Sequence, residues 1–391
     1  MDAQVAVVGA GPSGLIAARE AAKRGAHVVV LEEHMQIGLP VECAGLLSLR
    51  GLRAIGLRPE GHYVLNRQLR GARFVSPGGR ELLVEAGEPV ACVVDRRLLD
   101  LALAEQAERA GAEVLLGRKV LAISRLPSGV SLSGRWGSLQ AQVAVVAEGF
   151  RSRLVRRLGL RTVDWRRVLP ASQVELRVPE LAEDLVEVWL GSRVAPGLFA
   201  WVIPLGDGIA RVGLACRRGL DPRELLAAFL RRRLGVRLPP GLRRPPYAGS
   251  VLTCGPIPRT YADRVVIVGD AAGQAKPTTG GGVILGGLCA LLAGRTVAEA
   301  VEAGDTSEEA LRAYELAWRR LLGRDFRAMS LARRLLDRLP DRALDLAVKT
   351  ASELDLGREI AREADMDLQS RVLAALPRLA LACLARRLKA L

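Results

Sequence analysis

Val5-Ala6-Val7-Val8-Gly9-Ala10-Gly11-Pro12-Ser13-Gly14 is the stretch that decides how this chain folds. Residues 5–8 form a continuous apolar run, the pattern of a strand buried on both faces. Gly9 gives a tight turn at its end, Gly11 lets a pyrophosphate approach the backbone, and Gly14 lets the next helix pack closely on the strand. That helix is expected to run to about Arg24, and its first turn, at Ser13, offers unpaired N–H groups and a positive dipole end to phosphates. A second strand, Val28–Leu31, ends in Glu32, 23 residues after Gly9, where a carboxylate can accept from both hydroxyls of a ribose. The spacing predicts a Rossmann-type unit that binds a dinucleotide.

Later segments point to FAD rather than NAD. Arg264–Val268 reads as another buried strand, and Gly269-Asp270-Ala271-Ala272-Gly273 follows it. Asp270 stands at the strand end before a helix start, placed to hold a ribityl hydroxyl of a flavin. Lys276-Pro277-Thr278-Thr279-Gly280-Gly281-Gly282 then leads into an apolar helix over 283–294. Gly281 and Gly282 permit close backbone approach, and the helix dipole beginning at Val283 favours a negative charge on a reduced flavin. Taken alone, this block could equally be a Gly-rich turn of any α/β protein. The strand Val143–Ala147 with Glu148-Gly149-Phe150-Arg151-Ser152-Arg153-Leu154 looks like the turn that closes the nucleotide site in flavin hydroxylases.

In this order the pieces resemble the para-hydroxybenzoate hydroxylase-like FAD superfamily, and within it the geranylgeranyl reductase family, which includes the archaeal digeranylgeranylglycerophospholipid reductases. The resemblance covers residues 1 to about 300. The family's PxxCxG motif is met by Pro40, Cys43 and Gly45. Its YxWxFP motif is nearly met by Phe199-Ala200-Trp201-Val202-Ile203-Pro204, and the downstream GxG by Gly213-Leu214-Ala215. Its GDAAG and KPxxGGG blocks are met by Gly269–Gly273 and Lys276–Gly282. Phe199 replaces a tyrosine, Ala215 a glycine and Glu148 an aspartate. The missing hydroxyl at Phe199 puts a proton-donating role there in doubt, though not its packing against a prenyl chain.

The resemblance implies an FAD-dependent reductase that saturates C=C bonds of geranylgeranyl chains in isoprenoid membrane lipids or their precursors. It implies cofactor contacts from the Cys43-Ala44-Gly45 loop, from Arg96, which precedes Asp100 in a flavin-contacting arginine motif, and from Val120. An isolated C=C needs a hydride and a proton placed with precision and with water excluded. Trp201 and Phe199 are expected to wall a prenyl tunnel, and Cys43 to supply the proton or face the flavin electrostatically. An arbitrary cysteine would be a small buried filler. The electron donor would be a ferredoxin, a deazaflavin or NADPH. A monooxygenase or halogenase of the same fold, acting on an aromatic substrate, is the rival reading. An electron-relay flavoprotein feeding quinones is a third.

Composition narrows the classes further. At 391 residues the chain suggests two or three domains. Six cysteines without a CxxC, and three histidines, argue against a zinc or iron–sulfur centre. The first strand begins at about residue 4, leaving no room for a signal peptide. The apolar run 283–294 has 12 residues, short of the ~20 that span a bilayer. Net charge is +15, and 52 of 57 basic residues are arginine. With 4% aromatic residues and no basic stretch interleaved with rings, nucleic acid is a poor partner. A solvated basic surface or an anionic membrane fits instead. In the tail, Leu373, Leu376, Leu384, Leu388 and Leu391 share a helical face away from most of Arg378, Arg386, Arg387 and Lys389, as in a basic amphipathic helix or an ordinary bundle helix. The enzyme is therefore expected in the cytoplasm, peripheral at the inner face of the membrane.

The expected architecture is α/β, α+β overall. An FAD-binding domain comprises residues 1–65, 92–165 and 255–300. A substrate domain, an antiparallel sheet covering the flavin, comprises 66–91 and 166–254, with strands at Val174–Val178, Leu185–Leu190 and Ile209–Ala215. Residues 301–391 are Leu-, Ala- and Arg-rich and expected to be helical.

Overall fold

The computed structural model describes residues 2–238 and 247–375. Strand β1 (Ala3–Val8) lies at the centre of the first sheet, and its position explains its composition. Val5 and Val7 face one apolar layer and Ala6 and Val8 the other. Its parallel neighbours are β2 (Val28–Leu31) and β11 (Gly137–Val146). Beyond β2 lies β8 (Glu113–Leu115), and beyond β11 come β18 (Val265–Ile267) and β17 (Tyr261–Ala262). The hairpin β9 (Ala122–Leu126) and β10 (Gly129–Gly134) extends from β11. Strand β8 is short because Gly117, at φ +67°, turns the chain just after it.

Helices α1 (Pro12–Ala22), α3 (Arg96–Arg109) and α6 (Val283–Glu302) share one apolar cluster with one face of this sheet. Helix α1 starts with Pro12 in its first turn, where a missing N–H is harmless. A Cβ on Gly294 of α6 would stand 2.4 Å from the Ala17 carbonyl, so the two helices meet backbone to backbone. Helix α6 runs eight residues beyond the apolar stretch read from sequence, to 20 residues, and its most apolar window has a mean hydropathy of 1.5. By length and composition it could cross a bilayer, yet 61% of its most apolar window is buried inside the protein. It is placed as a core helix.

The second sheet has the order β16 (Tyr247–Leu252), β12 (Val168–Arg177), β15 (Ile209–Ala215), β14 (Ala200–Gly206), β13 (Leu185–Trp189), β5 (Gly71–Val75) and β6 (Glu81–Glu85). It is antiparallel, as expected, except that β13 and β5 run parallel. Side chains alternate with period two. Ala200 and Val202 face the cluster under α5 (Pro222–Arg233), while Trp201 and Ile203 face the opposite one. That opposite cluster is shared with a small third sheet of β3 (Leu46–Ser48), β7 (Ala91–Val94) and β4 (Val64–Leu69).

Short helices α2 (Leu49–Ala54) and α4 (Arg153–Arg157) follow the third sheet's first strand and the Glu148 turn. After α6 the chain is helical, as its composition suggested: α7 (Glu308–Leu336), α8 (Asp341–Glu353) and α9 (Leu356–Glu363). Helix α7 lies on α6 and the β17–β18 edge, while α8 and α9 cover the otherwise open edge strand β6. The amphipathic tail helix expected from Leu373 falls, from Leu376 on, outside the described residues.

Candidate active site

A cavity of about 530 Å³ opens at the carboxyl ends of β1 and β2, where ligands sit in such sheets. Gly9, Gly11, Glu32, Val120 and Glu148 all line it. A Cβ on Gly14 would fall 1.9 Å from the Gly9 carbonyl oxygen, so no other residue fits there. A Cβ on Gly11 would meet nothing within 4 Å, which leaves the N-terminus of α1 open to a phosphate. The Glu32 carboxylate is buried and accepts from the Ala10 N–H at 2.7 Å and the His34 N–H at 2.9 Å. His34 Nδ1 lies 2.7 Å from the same oxygen as its N–H. These contacts fix the carboxylate against the cavity, and its remaining lone pairs can accept from ribose hydroxyls. Glu148, where the family pattern has aspartate, accepts from the N–H groups of Arg153, Leu154 and Val155 at 2.7–3.0 Å. It holds the first turn of α4 against the cavity.

Arg96 is the hub of a second group of residues. It pairs with Asp100 through Nε and Nη2 at 3.2 and 3.1 Å, and the Cys43 side chain lies close enough to act on its charge. Burial works against the guanidinium's charge, but Asp100 and Cys43 outweigh it and raise its pKa. Burial likewise pushes the Asp270 carboxyl upward, opposed by Arg96. A Cβ on Gly282 would come within 2.7 Å of Asp270 Oδ1, and one on Gly281 within 2.6 Å of Lys276 Cε. Asp270, the two glycines and Val283 at the start of α6 therefore form one surface. Ser13 sits where this surface meets α1: a Cβ on Gly269 or Gly286 would lie 2.5 or 2.8 Å from its Oγ.

The loop at Cys43 is held from beneath. Gly45, at φ +71°, donates its N–H to Cys43 Sγ at 3.4 Å. Gln173 Nε2 donates to the Cys43 carbonyl at 3.3 Å, and buried Arg211 donates to the Ala44 carbonyl at 2.7 Å while pairing with Glu175 at 2.6 Å. Beside this loop, Phe199 and Trp201 meet edge to face at 6.3 Å, in one apolar cluster with Ala44, Ala215 and Met366. Gly213 pairs with Trp201 on one side and Gln173 on the other. A Cβ there would stand 2.6 Å from the indole and 2.7 Å from Gln173 Cβ, which explains the motif glycine. Trp201 Nε1 and Gln173 Oε1 are buried without a partner among the described residues.

The structure thus gathers the residues read from sequence into three adjoining groups: Gly9, Gly11, Gly14, Glu32 and Val120; Ser13, Arg96, Asp270, Gly281, Gly282 and Val283; and Cys43, Ala44, Gly45, Phe199 and Trp201. Sequence reading missed Gln173, Glu175, Arg211 and the buried pair Lys276–Asp367, 2.9 Å apart. Arg211 carried a signal, as the one charge inside the apolar strand β15. Asp367, 91 residues from its partner, carried none. Among the described residues no cluster could hold a metal.

The cradle of glycines, the open helix N-terminus and the buried ribose-facing carboxylate fit FAD, and the FAD binding domain family model matches residues 2–324. The chain is 35% identical over 364 residues to digeranylgeranylglycerophospholipid reductase 2 of Methanothermobacter thermautotrophicus, covering 91% of this chain and 93% of that protein. It is 35% identical over 335 residues to the digeranylgeranylglycerophospholipid reductase of Methanothrix thermoacetophila, covering 83% and 85%. Among solved structures it superposes with a TM-score of 0.82 on a geranylgeranyl bacteriochlorophyll reductase-like protein of Thermoplasma acidophilum, at 27% identity over 96% of this chain and 99% of that one. The chain belongs to the FAD-binding digeranylgeranylglycerophospholipid reductase family.

Proposed function

We propose that this enzyme reduces C=C bonds of geranylgeranyl chains carried on glycerophospholipids. The observation that carries the reading is the placement of the Cys43-Ala44 loop, with Arg96 beside its thiol, at an apolar cluster walled by Phe199 and Trp201. Such walls suit a prenyl chain, which has no polar atom to satisfy, and they exclude water from the reacting bond. FAD, bound and reduced, would supply the hydride. Gly9, Gly11 and the N-terminus of α1 hold its pyrophosphate, Glu32 its adenosine ribose and Asp270 its ribityl chain. The N-terminal dipole of α6, reached through Gly281, Gly282 and Val283, favours the negative charge of the reduced ring. Cys43 holds the proton for the second alkene carbon, and Arg96 stands beside its thiol. The physiological donor is a ferredoxin, a deazaflavin or NADPH, and the enzyme works in the cytoplasm at the inner membrane face.

The test is a single turnover of pre-reduced protein with a digeranylgeranylglycerophospholipid under argon. The expected product gains one pair of hydrogen atoms per double bond. Hydroxylated product, or a strict need for oxygen, would reject the reductase in favour of a monooxygenase. Cys43→Ala should slow the reaction by ~10²–10⁴-fold, the range of a general acid. A near-normal single-turnover rate in that variant removes the proton-donor role.

A further inference from the structure

The corner where α7 turns into α8 sorts its side chains by charge. Leu331, Leu335, Leu339 and Leu346 are 59%, 56%, 41% and 63% exposed. Leucines scattered singly on a surface need no explanation, but four on one corner do. Between and around them stand exposed Arg327, Arg334, Arg338 and Arg342, none of which has an ion-pair partner among the described residues. The carboxylates of the same segment are all taken up by partners. Asp337 pairs with Arg333 at 2.6 Å and with Arg167 at 3.2 Å. Asp341 accepts from the Ser192 N–H and hydroxyl at 2.9 and 2.8 Å, and Asp345 from the Ser76 hydroxyl and Gly78 N–H, both at 2.6 Å. On α8 the pair Arg342 and Leu346 thus faces outward, while Asp341 and Asp345, one position earlier, bind the second sheet.

We infer that this corner is where the protein docks on an anionic lipid bilayer, its leucines entering the headgroup boundary and its arginines meeting phosphates. The inference rests on the proposal that the substrate is a membrane lipid. Three features favour a bilayer over a protein partner. The patch is a helix–turn–helix corner rather than a groove. It pairs long aliphatic side chains with arginines, the combination that binds anionic interfaces. No aromatic residue occurs between Phe326 and Leu346, whereas protein interfaces are anchored by tyrosine and tryptophan. The corner also joins the helical segment on the first sheet to that on the second, so docking here orients the whole enzyme against the lipid.

Co-sedimentation of the full chain with vesicles tests this. Wild type should sediment with equimolar phosphatidylcholine and phosphatidylglycerol, and roughly tenfold or more less with phosphatidylcholine alone. Leu331→Glu/Leu335→Glu and Arg334→Glu/Arg338→Glu should each lose the anionic-vesicle binding while keeping the wild-type melting temperature. Both should still reduce lipid dispersed in detergent micelles, where no docking is needed. Absence of reduction in micelles by the wild type would refute the substrate reading and leave the vesicle result to stand by itself. Equal binding to neutral vesicles, or unchanged binding by both variants, overturns the inference. So does a dimer that the leucine variant dissociates without any vesicle binding, or loss of reduction by an acidic iron–sulfur protein with vesicle binding intact.

Discussion

Arg96 faces three acids or acid-like groups, Asp100, Asp270 and Cys43, and the chemistry of the site turns on that arrangement. At the other described thiols burial is the largest influence. Burial raises Cys92 to about 12 and Cys216 and Cys254 to about 11, and it raises Cys289 further. The thiolate is the nucleophile, so a raised pKa leaves these four protonated at neutral pH and reactive only as the pH climbs toward those values. Iodoacetamide at pH 8 should therefore label Cys43, which is half-buried, ahead of them, as peptide mapping would read. Comparable labelling of Cys92 or Cys254 would contradict the burial. Glu32→Ala should weaken FAD retention by ~1–3 kcal/mol, measured by flavin release on dialysis. The glycines and Glu32 were legible in the sequence because each acts on backbone or ligand within a single βαβ unit. Arg211 and Gln173 act on the Cys43 loop across 130 residues or more, and only the folded sheet brings them there.

The elements around Asp270 are fixed by residues that carry no motif. Gln274 Oε1 accepts from the Gly269 N–H at 2.8 Å, and its Nε2 donates at 2.9 Å to Tyr314 of α7, whose hydroxyl donates to the Ile267 carbonyl at 3.0 Å. Tyr314→Phe leaves Gln274 and that carbonyl short of a partner in the core. It should destabilise by ~1–3 kcal/mol, read as a lowered urea midpoint together with weaker flavin binding. Lys276 of the KPxxGGG block is anchored by Asp367 and the Met366 carbonyl, and Ser48 hydrogen-bonds the other Asp367 oxygen. Asp367→Ala would strand a buried ammonium and should cost about 3–5 kcal/mol. A change under 1 kcal/mol in the same assay would mean the pair is solvated. Gly213→Ala, by pushing Trp201 off its seat, should cost ~1–3 kcal/mol and slow lipid reduction. The helical content beyond residue 300 was readable from composition. Its attachment was not, because a carboxylate inside a helical stretch looks the same whether it faces water or a buried lysine.

The whole molecule is one unit by its contacts, since the terminal helices tie to both large sheets and to the turn that opens α6. Thermal unfolding should therefore give a single transition, and FAD at a hundredfold excess over its dissociation constant should add about 2.7 kcal/mol. Two separated transitions, only one of them moved by FAD, would show that the sheets melt independently. The first sheet also has a bearing on synthesis. β1 holds residues 3–8, but its partner β11 begins at 137, β18 at 265 and the helix against α1 at 283. At about 5–20 residues per second the first strand leaves the ribosome roughly 15–60 s before its surroundings exist. Until β11 emerges, only the edge of this apolar strand that β2 covers has a native partner, and the other edge stays open. The nascent chain is thus a natural client for holdase chaperones, and slowed translation before residue 283 would lower the yield of folded enzyme without altering a single contact in the finished protein.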